Sequence, residues 1–596
     1  MAEAPRDKAP VDKALEAGRW DLTALYEGPA DSKIDSDLAE IGRLAKEFIG
    51  FQGRLSAELA PALKIYARIA ELSDMTRYLY LCGATDAGNQ EIKKRASYVE
   101  EALVAHTAKM SFFETELGAM DNADYEAQLS ASEFLAKNRP FLDDVRNKAK
   151  YFLSPQEETM LSRLSPFGGG EWDDMLDEIE TLVDFDGKTM TESIHIMNTS
   201  PDSDVRFNEM SMFNRRLSDS NYRLIRTRAL NLVAGKKNTI DQQRGYTHVM
   251  QSRNIENNLD DATVDSLHKA VLTEGALQGQ RYYRIMARLL GKEKLLWSDR
   301  NAPNPFENTA YIPYDACKNT VLAAFRSFSP TLEELVREAI AANTIDAPAY
   351  KGKIGGAFNY SGITRCGRPS SFTLLNYMGS PRDVMTFAHE LGHCVHGLLG
   401  AEEQGVLLWH APMAYAETAS IFAEMLTFEH LLAQAATREE KLSLLLGKAG
   451  DWLNSVNRQI SFSLFEQQFH EVRKGGKVSP AEFDAMWLGV TRQMYGNAFE
   501  YKDMEHLWCY IGHFMRPFYV YAYSFGELFT QSLFAAKESL GNRFEPLYLD
   551  MLKAGGSRNA VELMAPFGLD PKTPDFWTKG IEVSIKAWLD EVEALI

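Results

Sequence analysis

Between Thr386 and Gly397 the chain reads TFAHELGHCVHG, three histidines and a glutamate in a run that is otherwise small or apolar. On one continuous helix His389 and His393 lie about 40° apart around the axis, so both imidazoles can reach a single ion. Neutral imidazole is a good ligand for Zn2+. Glu390 lies about 100° from His389, beside such an ion rather than on it, where a base for a metal-activated water belongs. With 12 His in 596 residues, chance alone writes HExxH in roughly 2 chains in 100 of this composition. The motif therefore needs support from the rest of the chain.

His396 falls on nearly the same face but about 10 Å further along the axis. With Zn–N bonds of about 2 Å, one straight helix cannot bring three successive turns to one ion. His396 is read as structural or as lining the site. The HExxHxxGxxH arrangement fails as well, because His396 stands where its Gly would be and Leu399 where its last His would be. A third ligand must come from another segment, and LLGAEEQGVLLWHAPMAYAETASIFAEML offers Glu417. Its neighbours Ala414, Ala416, Ala419 and Ser420 let a helix pack closely against the first, where an acid without a partner would be costly. Glu402 and Glu403 are the bland alternatives, adjacent in a loop and readily solvated. Glu424, two turns beyond Glu417 on the same face, reads either as support behind the ligands or as half of a buried pair with an Arg or His.

These residues need elements to hold them. In SPRD, Ser380 can cap, Pro381 suits the first helical position and Asp383 can reach back as a capping-box acid; Gly400 is the expected stop. Pro412 opens the second helix. Upstream, Lys351 to Met378 carries a weak β signal, in GKIGGAFNYSG and SSFTLLNYM. Helical patterns dominate elsewhere: Asp35 to Phe48, on to about Lys150, from a start at Ser200-Pro201 to about Leu290, and from Asp315 to Ala342. A loop is expected around Gly168 to Gly170, and TLVDFDGKTMTESI alternates about Asp186-Gly187 like a β-hairpin. The expected fold is mainly α, with a small sheet just upstream of the histidines. The organisation read from it is a disordered tail over 1–18, an N-terminal helical lobe over 19–200 ending in the hairpin, and a catalytic domain over 201–596.

A net charge of −19, from 64 basic and 83 acidic residues, disfavours nucleic acid and anionic membranes as partners. Five separated cysteines argue against a disulfide framework. The N-terminus lacks the apolar core of a secretory signal, so the cytoplasm is the expected location. The most apolar stretch, Gly405 to Phe428, holds Glu417 and Glu424; each acid near a bilayer centre would cost roughly 2.5–3.5 kcal/mol. A buried helix with a polar purpose is the better reading.

The chain resembles the zinc metallopeptidases of the thimet oligopeptidase and oligoendopeptidase F type, and the oligoendopeptidase F branch more closely. The resemblance is carried by HELGH at His389 to His393 and YAETAS at Tyr415 to Ser420. It continues in SFTLLNYMGSPRDVMTFAHELGH, GHFMRPFYVYAYSFGELF and WDLTALYEG. It implies a two-lobed helical body enclosing a deep channel, one Zn2+ per chain on His389, His393 and Glu417, and cleavage inside short unstructured peptides with Glu390 as base. It also implies that the strand region Gly355 to Ala357 and Phe372 to Tyr377 binds the substrate backbone as an added strand. Families of this kind place a His and one or more Tyr opposite the zinc to hydrogen-bond the oxyanion. By that resemblance His513 and Tyr523 take those roles, with Tyr519 able to share the face, Tyr521 turned elsewhere, and His506 a weaker candidate. Arg244 to Tyr246 also matches, without an assigned task. The alternatives are a zinc exopeptidase, either an aminopeptidase or a dipeptide-releasing carboxypeptidase, and a helical peptide-binding protein with a vestigial metal site. For the first, no GxMEN-like run is present to anchor a free amine; for the second, His389, Glu390, His393 and Glu417 are all intact.

Overall fold

The computed structural model describes residue 13 and residues 18–164, 169–307 and 310–596. The body is mainly helical, and two hydrophobic cores give it two lobes. The smaller core gathers residues between Leu25 and Leu142 together with Phe372; the larger runs from Leu176 to Val592. The tail expected over 1–18 lies outside the described residues but for Lys13 and Gly18. Leu176, Val183, Phe185 and Met190, within the 19–200 segment, pack in the larger core.

The hairpin at Asp186-Gly187 is not formed. Phe185 and Lys188 do exchange backbone hydrogen bonds at 3.1 and 3.3 Å across a tight turn, with Asp186 and Gly187 at positive φ. The flanks, however, are the helices Gly169–Thr181 and Met190–Thr199. A capping box decides the second flank: Thr189 and Glu192 satisfy each other's backbone N–H groups and commit the following residues to helix. Of the loop expected at Gly168 to Gly170, Gly168 lies outside the described residues, and Gly169 and Gly170 open a helix. The helix expected to start at Ser200-Pro201 begins at Ser203, because Asp202 takes the cap.

Two parallel residue pairs join β1 (Leu295–Leu296) to β5 (Phe499–Glu500). The sheet that matters lies upstream of the histidines: β2 (Ile345–Pro348), β3 (Phe358–Ile363) and β4 (Pro369–Tyr377), in the order β2-β4-β3. β3 runs antiparallel to β4 and β2 parallel to it. β2 escaped sequence reading because Asp346 breaks its apolar run; buried, it takes an ion pair from Lys353 Nζ at 2.6 Å. Along β4, Phe372 packs into the smaller core, while Leu375 and Tyr377 pack into the larger.

The histidine helix, Pro381–Gln404, starts as its sequence predicts: the Ser380–Asp383 capping box is complete and Pro381 stands in the first turn. It does not stop at Gly400 but runs to Gln404, with Gly405 at φ 72° ending it. Gly400 serves another need, since a Cβ there would stand 2.6 Å from the carbonyl oxygen of Trp409 on the returning chain. Gly392 and Gly397 act likewise. A Cβ on Gly392 would run into the backbone of Ala419 and Ser420, and one on Gly397 into the side chain of Ser361 on β3. Missing side chains thus bring three elements onto one helix.

Gly392→Ala should therefore cost about 1–3 kcal/mol by overpacking. Gly447→Ala, in the helix Arg438–Ser455 with open space around it, should be neutral or stabilise by up to about 1 kcal/mol. Urea unfolding of the two variants checks the contrast.

Candidate active site

The cap and the absence of Gly392's side chain fix the histidine helix against a second helix that is broken at the residue that counts. Met413–Ala416 forms one short turn, and Thr418–Gln434 continues after a joint at Glu417. At that joint Ser420 Oγ donates to Glu417 Oε2 at 2.9 Å, aiming the carboxylate. His389 Nε2, His393 Nε2 and Glu417 Oε2 then form a triangle with every side 3.2 Å. Atoms bound about 2 Å from one tetrahedral ion stand about 3.3 Å apart. The donor set, two imidazoles and a carboxylate, suits a small divalent cation, and among the described residues no other group of three His, Cys, Asp or Glu side chains converges this way.

Behind the triangle, Glu424 Oε1 lies 2.7 Å from His389 Nδ1, and Lys448 Nζ lies 2.8 Å from Glu424 Oε2. Burial alone would lower the pKa of His389, but the Glu417 and Glu424 carboxylates outweigh it and hold the imidazole well above its ordinary value. Glu424 goes the other way. Burial would raise it, and Lys448 and His389 bring it down to about 2. Glu417 is likewise held well below the carboxylate range by the two histidines against its burial. A cation bound here would have to displace the proton that the two carboxylates hold on His389, and would take over its pairing with Glu417.

Glu390 is 5% exposed, and its Oε2 has no hydrogen-bond partner. Burial raises its pKa above the ordinary value, which makes it a stronger base than a surface carboxylate. It opens with the metal-type ligands onto a cleft of about 390 Å3, also lined by Phe358, Ser361, His396 and His410. His396 lines the cleft without joining the triangle; burial and the neighbouring His393 and His410 push it down to about 4. Glu402 and Glu403 are exposed.

The tyrosine helix, Tyr521–Leu540, packs beside Glu417. A Cβ on Gly526 would stand 3.1 Å from Glu417 Cβ, so this helix presses on the third corner of the triangle. One turn earlier, Tyr523 places its hydroxyl 3.4 Å from His513 Nε2 and 3.4 Å from the Tyr519 hydroxyl. Burial, then Arg458 and Arg516, lower the pKa of His513, so its ring is neutral at pH 7. Tyr521 turns into the core, between Asn254 and Asn257. His506 is held by Asp484 at 3.1 Å and stands apart from the cleft.

One expectation is overturned. Phe372 to Tyr377 cannot take an added strand, because β4 is the centre of its sheet and both its edges are already paired. The free edge belongs to β3, reached through Ala357 and Phe358, which line the cleft. Arg244 and Tyr246 hold the segment after the smaller lobe instead: Arg244 donates to both oxygens of Glu158 and to the Tyr151 carbonyl, and Tyr246 stacks on Tyr151 at 4.6 Å. They line a larger cavity, about 1030 Å3, separate from the triangle. Sequence reading missed Lys448 and Gly526. Lys448 had no visible partner in sequence, being 24 residues from Glu424.

Two family models match the chain. One described as Peptidase family M3 covers residues 196–583, and one described as Oligopeptidase F covers residues 116–185. An oligoendopeptidase F homolog of Lactococcus lactis is 25% identical over 605 residues, 97% of each chain. A group B oligopeptidase of Streptococcus agalactiae is 24% identical over 609 residues, 98% of this chain and 97% of that one. Among solved structures, a peptidase of Chlamydophila abortus superposes with a TM-score of 0.85 at 21% identity, over 97% of this chain and 98% of that one. An oligoendopeptidase F of Enterococcus faecium gives 0.69 at 19%, over 95% and 99%.

The Glu424–Lys448 pair generates a stability test. Lys448→Met leaves a buried carboxylate without its cation and should cost about 3–5 kcal/mol in urea unfolding. Adding Glu424→Gln should recover much of that loss; a double variant no more stable than the single would show that the pair is not what Lys448 serves.

Proposed function

Since the chain belongs to peptidase family M3, we propose that this peptidase is a zinc-dependent endopeptidase cutting internal bonds of short, unstructured peptides. The observation that carries the reading is the 3.2 Å triangle of His389, His393 and Glu417 with the unpartnered, buried Glu390 oxygen beside it. Zinc, when bound there, supplies a Lewis acid and makes water a nucleophile near neutral pH. Glu390 takes the proton of the attacking water and passes it to the leaving amine, a task its raised pKa suits. Glu424 orients His389 through Nδ1. Tyr523 and neutral His513 donate hydrogen bonds to the oxyanion as it forms. The free edge of β3 pairs with the substrate backbone and draws it in extended form past the triangle. The cytoplasm is the proposed setting, where a reducing compartment would keep the five cysteines as the free thiols they are. Short peptides are the proposed partners; nothing in the charge or the site calls for nucleic acid.

Two substitutions separate base from ligand. Glu390→Gln should keep about one zinc per chain while turnover falls by roughly 10²-fold or more, because Gln cannot accept the proton. Glu417→Gln should instead lose metal on dialysis. Elemental analysis beside a peptide assay checks both, and near wild-type turnover in Glu390→Gln would remove Glu390 from its role.

Substrate size provides the other test. Each backbone residue ordered in the cleft costs roughly 1–2 kcal/mol, which pairing with β3 must offset, so peptides of about 5–20 residues should be cut. Blocked termini should be tolerated. Strict dependence on a free terminus, read by mass spectrometry, would favour an exopeptidase; rapid digestion of casein would contradict an enclosed site.

A further inference from the structure

The loop that carries His513 and Tyr519 is bent where side-chain-bearing residues seldom bend. Phe518 adopts φ 58°, in the left-handed region, although its ring is wholly buried; for a bulky residue this is an outlier that persists only when its surroundings hold it. The holding groups come from three other helices. Glu466, on the helix Asn457–Lys474, accepts the Phe518 N–H at 2.9 Å through Oε1. Arg253 donates to the Pro517 carbonyl at 3.2 Å and Arg226 to the Ile511 carbonyl at 2.6 Å. The Phe518 ring packs on His470, 4.8 Å between centres, and the Lys237 ammonium lies 5.4 Å from it. Glu466 has 0% exposure, its Oε2 has no hydrogen-bond partner, and no step of the reaction uses it.

Along the chain the bend is passed directly to the candidate donors. Arg516 N–H bonds to the His513 carbonyl, Tyr519 N–H to the Arg516 carbonyl, and Tyr523 N–H to the Val520 carbonyl. The backbone at Phe518 thus sets where Tyr519 and Tyr523 stand relative to His513. We propose that Glu466 is a positioning residue: by accepting the Phe518 N–H it holds the left-handed bend and keeps His513, Tyr519 and Tyr523 in place across from the ligand triangle. The inference rests on the oxyanion role proposed for His513 and Tyr523. Burial pushes the Glu466 carboxyl up to about 8, against Arg253 and Lys237. Near neutral pH it is mostly the uncharged acid, close in shape to glutamine and offering the same carbonyl oxygen.

The test compares Glu466→Leu with Glu466→Gln for kcat, KM, bound metal and circular dichroism. Glu466→Leu should lower kcat on the order of 10- to 100-fold, with KM and metal content little changed. Glu466→Gln should restore kcat to within about threefold of the parent enzyme. In a Tyr523→Phe background Glu466→Leu should add little further loss, because both changes act on one unit. Unchanged kcat in Glu466→Leu, no rescue by Gln, or an undiminished loss in the Tyr523→Phe background would each overturn the positioning role. If Glu466→Leu fails to fold, Glu466→Met takes its place with the same expectations. Wild-type kcat in both His513→Ala and Tyr523→Phe would overturn the oxyanion reading, and this proposal with it. A loss in those two beside wild-type kcat in Glu466→Leu would overturn the positioning role alone.

Discussion

Everything at the site depends on how closely two helices can approach. The two histidines are neighbours on one helix, but their third partner is on another, and 3.2 Å between side-chain tips leaves no room for a layer of side chains between the backbones. Gly392 removes that layer at the Ala419–Ser420 backbone. The same device recurs around the histidine helix: Gly397 admits β3 at Ser361, Gly400 admits the chain at Trp409, and Gly526 sets the tyrosine helix against Glu417. Side chains that could bind a cation converge because other side chains are missing.

Close packing also puts charges where water cannot screen them, and their order follows from that. From the cleft inward run Glu417, His389, Glu424 and Lys448, alternating in sign, each within 3.2 Å of the next. In surroundings of low dielectric such a series is strong when complete and costly when cut. The tyrosine helix beside Glu417 and the loop before it are built on the opposite plan. Tyr523 stands 3.4 Å from both His513 and Tyr519, an imidazole and two hydroxyls with no carboxylate among them.

Local features of this arrangement were legible in the sequence. Ser380, Pro381 and Asp383 announce the histidine helix, the spacing of His389 and His393 places them on one face, and small residues mark Glu417 as the acid that packs closely. Tyr521 was separable from Tyr519 and Tyr523 because three residues in alternate positions of a helix cannot share a side. What depended on distant partners was not legible. Gly400 reads as a helix stop until Trp409 is seen beside it. The turn at Asp186-Gly187 reads as a hairpin because the alternation is visible, while its competition with the Thr189–Glu192 box is a matter of relative strength. Whether β4 or β3 is the free edge depends on β2, a four-residue strand whose buried Asp346 hides it. Lys448 and Glu466 are ordinary charged residues on amphipathic helices until their partners are known.

β4 has a further consequence. Its Phe372 is rooted in the core of the smaller lobe while Leu375 and Tyr377 are rooted in the larger, so one strand is a structural member of both. The smaller lobe is therefore not a detachable cap. Melting it would strip Phe372 of its packing, on the strand beside the histidine helix. Any displacement of one lobe relative to the other must therefore be accommodated at three residues of a single strand.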